Sequence, residues 1–281
     1  MSITSVSVPF STAAYRMRST YYILLSYFLW WSSTNGKAPL DDISIQRYNE
    51  MGEITQLVYS NLAIDRDAPV VAYVDVATEA AIILSTYRVK SPLLLSKQRK
   101  VEHLKEEGIV TAAIGYVPDC AYARNYLYSI IQNHRLTYGE CPSLESIASQ
   151  MSSWISRCFY TSDQTTIARP LAACVLMMSY EEKRMKLMHI ENSGLVTDRK
   201  YIVRGALPTA VKNKIIHAME DNAQNLTTKA SEVMRLLLEE EDQDQDVIQC
   251  IDFSLITKQN IFIKQNFKDV DQLVSFIETS L

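Results

Sequence analysis

Histidine and cysteine are the residues of this chain best suited to metal binding or nucleophilic chemistry, but their spacing supports neither. Two or more such side chains must converge to hold zinc, typically in HExxH or CxxC motifs. The chain has neither motif, and it lacks the GxSxG, Walker A and GxGxxG patterns as well. The sequence therefore predicts no metal site and no cofactor. The residues concerned are His103, His134, His189, His217, Cys120, Cys141, Cys158, Cys174 and Cys250.

An N-terminal threonine offers another route to hydrolysis, because its hydroxyl can attack while its own α-amine acts as the base. Cleavage of a Gly-Thr junction is one way to release such a threonine. No Gly-Thr dipeptide occurs anywhere in the chain. The sequence thus gives no direct support for this chemistry.

The composition is that of a folded protein with a substantial core. The chain has 281 residues, of which 47% are hydrophobic, with only 7 glycines and 8 prolines. These values argue against a low-complexity or linker-rich chain. The net charge of −4 and the lack of a basic stripe predict no binding to nucleic acid. The odd number of scattered cysteines is typical of reduced, mostly buried thiols.

The N-terminal region leaves several alternatives open. Arg16 and Arg18 precede an apolar run at residues 21–31, and small polar residues follow at 32–34. A secretory signal peptide has this order of basic, apolar and small residues, although the apolar run is short for a membrane span. An amphipathic anchor, an atypical extension and a gene-model artefact are the other interpretations.

Beyond residue 40 the pattern alternates between strands and helices. Short apolar runs predict strands, and apolar residues at helical spacing predict helices, with Asp119 and Ser143 as helix caps. Runs of strands between pairs of helices favour an α+β fold in which two sheets pack face to face. Strands are predicted at 70–74, 80–84, 108–115, 171–178, 185–190, 201–203, 247–255 and 260–264. Helices are predicted at 53–64, 119–138, 143–158, 209–219, 228–238 and 269–279.

Residues 48–59 form the most informative segment. Gly52 supplies a turn, and Ile54, Leu57, Val58 and Leu62 then recur at the spacing of a short amphipathic helix. The segment resembles the N-terminal signature of proteasome α-subunits, in which a Tyr-Ser-Pro-x-Gly turn precedes a helix. Tyr48, Gly52, Ile54, Gln56, Leu57 and Tyr59 match that signature in register.

Further markers extend the resemblance over roughly residues 41–275. Gly115 and Asp119 lie where the family opens its first long helix, and Arg169-Pro170 resembles the pair that introduces a central strand. The resemblance implies the four-layer αββα sandwich of the N-terminal nucleophile hydrolases. It also implies that residues 39–281 are one proteasome α-type domain and that residues 1–38 are an atypical extension, disordered or artefactual.

The chain departs from the family at the gate. Asn49-Glu50 replaces Ser-Pro before Gly52, and Asp42 aligns with the Asp of a Tyr-Asp-Arg motif whose other two residues are not kept. In the family, this motif and the proline turn hold the N-terminal tails in open or closed arrangements. Proline fixes the backbone of such a turn, whereas glutamate does not.

The resemblance implies a structural subunit and not an enzyme. Such a subunit would scaffold a hetero-heptameric α-ring on a β-ring, support the gate and dock activators, in the cytoplasm and nucleus. Its partners would be other α-subunits, β-subunits and the C-terminal tails of regulatory particles, with no nucleic acid and no membrane. Lys100 would receive a tail carboxylate, Asp42, Tyr48 and Gly52 would form the gate turn, and Gln56 and Tyr59 would contact the neighbouring subunit.

Two alternatives remain beside that interpretation. The first is a diverged N-terminal nucleophile hydrolase or β-type subunit with threonine-type peptidase activity. Residues 68–72 carry no Thr or Ser where the family's first strand begins, and Tyr87 aligns with the lysine that assists the threonine. The second is a secreted or anchored protein, which rests on residues 16–34 alone.

Overall fold

The structure is a computed structural model, and it describes residues 48–89, 100–104, 108–160, 169–221, 224–239, 248–258, 261–267 and 270–280. The chain divides into two compact units, Met1–Arg47 and Tyr48–Leu281. All described residues belong to the second unit. Asp42 and the extension at residues 1–38 lie outside them, and the boundary at residue 39 stays a prediction.

Ten described strands form two five-stranded antiparallel sheets. The first sheet has the order β10-β9-β2-β1-β8, and the second has the order β3-β4-β5-β6-β7. The strands are β1 Val70–Asp75, β2 Ala80–Val89, β3 Val101–Leu104, β4 Ile109–Gly115, β5 Ala173–Glu181, β6 Arg184–Ile190, β7 Val196–Asp198, β8 Tyr201–Arg204, β9 Ile248–Ile256 and β10 Ile261–Phe267.

Six described helices accompany the sheets, so the fold is α+β. They are α1 Thr55–Asp65, α2 Val117–Tyr138, α3 Leu144–Tyr160, α4 Thr209–Glu220, α5 Leu226–Glu239 and α6 Val270–Ser280. Each predicted helix and strand is present within a few residues of its predicted bounds. The strand β7 was not predicted, because its three residues are too few to show an alternating pattern, and β3 was indicated only by the resemblance of residues 97–104 to a strand of the proteasome α-subunits.

The buried residues fall into three large clusters. The first joins one face of the first sheet to α4, α5 and α6, and the second joins its other face to the second sheet. The third joins the second sheet to α2 and α3. Along β1, Val71 and Tyr73 belong to the first cluster, whereas Val70, Ala72 and Val74 belong to the second. Side chains alternate between the two faces of a strand, so a strand buried on both faces is apolar throughout.

Helix α1 departs from its predicted amphipathic pattern. Leu62, which belongs to the predicted apolar face, is 48% exposed, and Ser60 and Ile64 are the buried residues of the helix. Ser60 is held by a hydrogen bond, because the Asn192 side chain donates to its hydroxyl over 2.6 Å. The predicted apolar face was therefore wrong at Leu62, while Ile54, Leu57 and Val58 are half-buried. The fully buried residues of the helix are one apolar residue near its end and one polar residue in a buried hydrogen bond.

The predicted helix caps have different outcomes. Ser143 precedes α3, and its hydroxyl accepts a hydrogen bond from the Ser146 backbone N–H at 3.3 Å, as a cap does. The prediction for Asp119 was wrong, since α2 begins at Val117 after Tyr116. Asp119 lies inside the first turn and is buried. Its carboxylate serves a partner far away in sequence, which helical spacing could not indicate.

Candidate functional site

The predicted gate turn is a tight turn held by a side chain. Tyr48 and Ile54 form an antiparallel bridge on either side of it, and Gly52 adopts a φ of +79°, which glycine tolerates without strain. The Asn49 side-chain oxygen accepts two backbone N–H groups, including that of Glu53 at 2.8 Å. An asparagine that binds the backbone in this way stabilises a turn. Asn49 thus fixes the turn without the proline of the family pattern.

The predicted contact residues Gln56 and Tyr59 lie on the helix that follows this turn. Tyr59 is 50% exposed and Gln56 is half-buried. Helix α1 packs against β4 and β5. The hydrogen bond between Asn192 and Ser60 ties the same helix to the turn between β6 and β7. The helix therefore presents an aromatic side chain on a segment anchored to two inner strands of the second sheet.

Lys100, the predicted docking residue, lies at the start of β3 and is bound within its own chain. Its ammonium contacts the Asp67 Oδ1 at 2.7 Å and donates to the Ala68 carbonyl at 2.7 Å. The Lys100 and Asp67 side chains are 14% and 21% exposed. Burial lowers the pKa of Lys100, and the Asp67 carboxylate acts in the opposite direction.

Asp67 joins four segments that are distant in sequence. Its Oδ2 accepts the Gly115 N–H at 2.9 Å at the end of β4, and its Oδ1 accepts the Ala68 N–H at 2.8 Å. Its backbone carbonyl accepts the Ala206 N–H at 2.7 Å, beyond β8. We call Asp67, Ala68, Lys100, Gly115 and Ala206 the Asp67 junction. It connects the end of α1 to both sheets.

Two thiols lie within electrostatic range of Lys100. They belong to Cys120 and Cys174, and both are buried. Burial raises the pKa of each thiol to about 12. A cysteine reacts as its thiolate, so neither residue is suited to nucleophilic attack at neutral pH.

In the N-terminal nucleophile hydrolases that the sequence resembles, the start of the first strand, which corresponds to β1, carries the nucleophile. There the chain runs continuously from α1 through Asp67 into a buried Pro69 and Val70. The Ala68 carbonyl next to this point is occupied by Lys100. A nucleophile of that type needs a free α-amine at the head of the strand. In the described chain, Asp67 and Ala68 continue directly into β1, so the head of this strand carries no free α-amine there.

A second polar junction lies beside the first. Both oxygens of the Asp119 carboxylate bind the Arg169 guanidinium at 2.7 Å, and Oδ2 also accepts the Ala172 N–H at 2.8 Å. The hydrogen bond to Asp119 raises the pKa of Arg169. The Tyr116 N–H, next to Gly115, donates to the Ala172 carbonyl at 2.7 Å. The two junctions are therefore joined through one backbone contact.

The structure thus brings Tyr48 and Gly52 together in one turn and places Gln56 and Tyr59 on the next helix. It places Lys100 at the junction beyond that helix. The sequence interpretation missed Asn49 and Asp67. Asn49 could have been found, since asparagine is typical of turns, but no local pattern marks Asp67.

The described residues offer neither a metal site nor a membrane span. No group of three or more His, Cys, Asp or Glu side chains in that part of the chain could hold a metal ion. No helix within the same residues is both long and apolar enough to cross a membrane.

Comparison with known proteins identifies the family. The family model described as "Proteasome subunit" matches residues 76–250, which is more than half of the chain. Proteasome subunit alpha 2 of Haloarcula marismortui is 27% identical over 154 residues, 54% of this chain and 60% of that protein. Proteasome subunit alpha 1 of Haloferax volcanii is 26% identical over 166 residues, 59% and 63% of the two chains.

A third relative, the proteasome subunit alpha of Haloquadratum walsbyi, is 26% identical over 166 residues, 59% of this chain and 64% of that protein. The chain thus spans about three fifths of the length of each of these relatives. The matched region begins just after β1 and ends within β9, so it includes β2 to β8 and α2 to α5. The chain belongs to the proteasome subunit family, as a divergent subunit of the α type.

Proposed function

We propose that this chain is a non-catalytic subunit of the α-ring of the 20S proteasome core. In this role it scaffolds the barrel, supports the gate and docks activators for ubiquitin-dependent and ubiquitin-independent protein degradation. Family membership and the α-type relatives support the role of a proteasome subunit. The finer parts of the role rest on the arrangement around α1 and the Asp67 junction.

One observation carries the proposal that the subunit is non-catalytic. Helix α1 leads directly into β1, and Lys100 binds Asp67 and the Ala68 carbonyl at the head of that strand. Threonine-type catalysis needs a free N-terminal amine and hydroxyl at this position. A chain that keeps α1 and its junction intact has no such group there.

The fold proposed for this role is the four-layer sandwich of the N-terminal nucleophile hydrolases. The order of the three buried clusters supports it, because each cluster lies between two neighbouring layers. Helices α4, α5 and α6 belong to the first cluster and α3 to the third, while α2 belongs to the third except for Cys120, which joins a small cluster with Ala113 and Ala173. A sheet whose two faces both join clusters must be covered on both sides.

Contacts within the ring are assigned to α1 and its surroundings. Tyr59 is an exposed aromatic residue on an anchored helix, which suits a contact with a neighbouring subunit. Lys100 is assigned to the carboxylate of a regulatory tail, and the turn at Tyr48 and Gly52 to support of the gate. Heterologous contacts of this kind close into rings. The cytoplasm and nucleus are the proposed location.

Native purification tests the proposal directly. A C-terminal tag on the full chain should recover α-type and β-type subunits in an assembly of hundreds of kilodaltons. N-terminal sequencing of the tagged chain in that assembly should show that α1 is retained. Recovery of a monomer, or of a chain processed to begin with Thr, Ser or Cys, would refute the proposal and favour a hydrolase.

A further inference from the structure

The Asp67 carboxylate occupies the side of Lys100 that a binding partner's carboxylate would use. An ammonium group has three donors and favours one close carboxylate as a point charge. Here one contact goes to Asp67 Oδ1 and a second to the Ala68 carbonyl, both at 2.7 Å. Lys100 is therefore already neutralised within its own chain.

Asp67 does not move away from Lys100 easily. Its second oxygen is held by the Gly115 N–H at 2.9 Å, and its backbone carbonyl by the Ala206 N–H at 2.7 Å. Its first oxygen also accepts the Ala68 N–H at 2.8 Å. Because each carboxylate oxygen is held by a backbone donor, the carboxylate keeps its orientation at little further loss of side-chain entropy. An incoming carboxylate must then compete with Asp67, which belongs to the same chain and is already ordered.

The pair remains within reach of solvent. The Lys100 side chain is 14% exposed and the Asp67 side chain is 21% exposed. A terminal carboxylate that approached the exposed edge of Lys100 would also approach Asp67. Two carboxylates at one ammonium repel each other, so the intramolecular partner lowers affinity for any external one.

We propose that Asp67 determines the affinity of Lys100 for C-terminal carboxylates, and that its ion pair with Lys100 makes this subunit a weak docking position. The inference rests on the proposed function, because it assumes that Lys100 faces regulatory tails. The partner class is a peptide with a free α-carboxylate. Removal of the Asp67 charge leaves Lys100 available and strengthens binding of such a peptide.

The test uses the purified assembly that contains the full chain. The probe is a short peptide copying the C-terminus of a regulatory-particle subunit, and its matched control is the same peptide with an amidated C-terminus. Asp67→Ala should tighten binding of the free-carboxylate peptide about tenfold, equivalent to about 1.4 kcal/mol. Asp67→Asn should act in the same direction by a smaller factor, since it keeps the shape of the side chain. The amidated peptide should show no gain.

Two further variants test whether the gain in affinity depends on Lys100 and whether loss of any negative charge would produce it. The double variant Asp67→Ala with Lys100→Met should lose the gain, because no cation remains to receive the carboxylate. Asp198→Asn is the charge control, since it also removes one negative charge but belongs to a 3.5 Å pair with Arg184. It should leave peptide affinity unchanged.

The inference fails if Asp67→Ala leaves affinity unchanged, or if the gain persists in the double variant. It also fails if neither Asp67 variant assembles, because Asp67 then acts on folding and not on tail affinity. These results differ from failure of the proposed function, in which the wild-type chain itself is absent from a proteasome assembly.

Discussion

The ion pair between Asp119 and Arg169 should respond asymmetrically to removal of its two partners. The Asp119 side chain is 4% exposed, whereas the Arg169 side chain is 44% exposed. Arg169→Met leaves a buried carboxylate whose remaining donor is the Ala172 N–H. Asp119→Ala leaves a guanidinium that water can solvate. The first substitution should therefore be the more destabilising one.

The magnitudes follow from these exposures. Removing one partner of a buried pair costs about 3–5 kcal/mol when the remaining charge is buried, which is the case for Arg169→Met. Asp119→Ala removes the acceptor of the buried Ala172 N–H, at about 1–3 kcal/mol. The lost attraction to a half-exposed guanidinium adds at most about 1 kcal/mol. The expected difference between the two variants is about 1–2 kcal/mol.

Urea unfolding of the full chain measures this difference, as a shift of the midpoint at constant slope. Arg184→Met is the matched control, because Arg184 is 56% exposed and pairs with Asp198 at 3.5 Å, and it should change stability by less than about 1 kcal/mol. The reasoning is refuted if Asp119→Ala costs as much as Arg169→Met or more. A harmless Arg169→Met would instead favour the simple helix cap that the sequence predicted.

Three further predictions concern single residues. Gly115→Ala should lower the free energy of unfolding by more than about 3 kcal/mol, because the added Cβ would lie 2.1 Å from the Ala172 carbonyl oxygen and the residue has a φ of +132°. Gly139 has a φ of +78° and open space around its Cα, so Gly139→Ala should lower it by only about 1 kcal/mol, as measured by thermal unfolding. Burial lowers the pKa of His189 from 6.5 to about 4, so the unfolded chain binds this proton first as the pH falls. Stability should fall by about 3 kcal/mol from pH 6.5 to 4, and His189→Leu should flatten this part of the pH profile. Asn49→Ala should speed amide exchange at Glu53, since the turn loses about 1 kcal/mol of side-chain hydrogen bonding.

Each of these has a defined contrary result. Equal costs at the two glycines would show that the Ala172 carbonyl shifts without penalty. A pH profile unchanged by His189→Leu would mean that another group titrates in that range. Unchanged exchange at Glu53 would show that the bridge between Tyr48 and Ile54, and not Asn49, holds the turn.

The sequence predicted the elements well, because their signals are local. The apolar runs of β1 and β2 and the periodic spacing in α2 and α3 come from burial on one or two faces, which is written into neighbouring residues. Contacts between residues that are distant in sequence produce no such local pattern. A lysine within a helix, such as Lys229, is usually exposed to solvent. Lys229 is nevertheless only 2% exposed, and it donates to the Tyr73 hydroxyl at 2.9 Å.

The candidate site was predicted in part, for the same reason. Tyr48, Gly52 and Lys100 were found through a resemblance to a linear pattern, and Asn49 could have been found from turn chemistry alone. Asp67 lies 33 positions from Lys100 and 48 positions from Gly115. A single aspartate after a helix has many surface roles, and only the folded chain shows that this one binds a lysine and two backbone amides.

The polar contacts of this region share one structural consequence. Ser60, Asp67 and Asp119 each join a helix to a strand end or turn of the second sheet, through Asn192, Gly115 and Ala172. In the N-terminal nucleophile hydrolases that the sequence resembles, catalysis needs a free amine and room for a substrate at the head of the first strand. A set of buried hydrogen bonds that spans the same region fixes α1 in place instead. Weakening the Asp67 junction should therefore alter ligand affinity at Lys100 without creating hydrolytic activity, since it supplies no nucleophile.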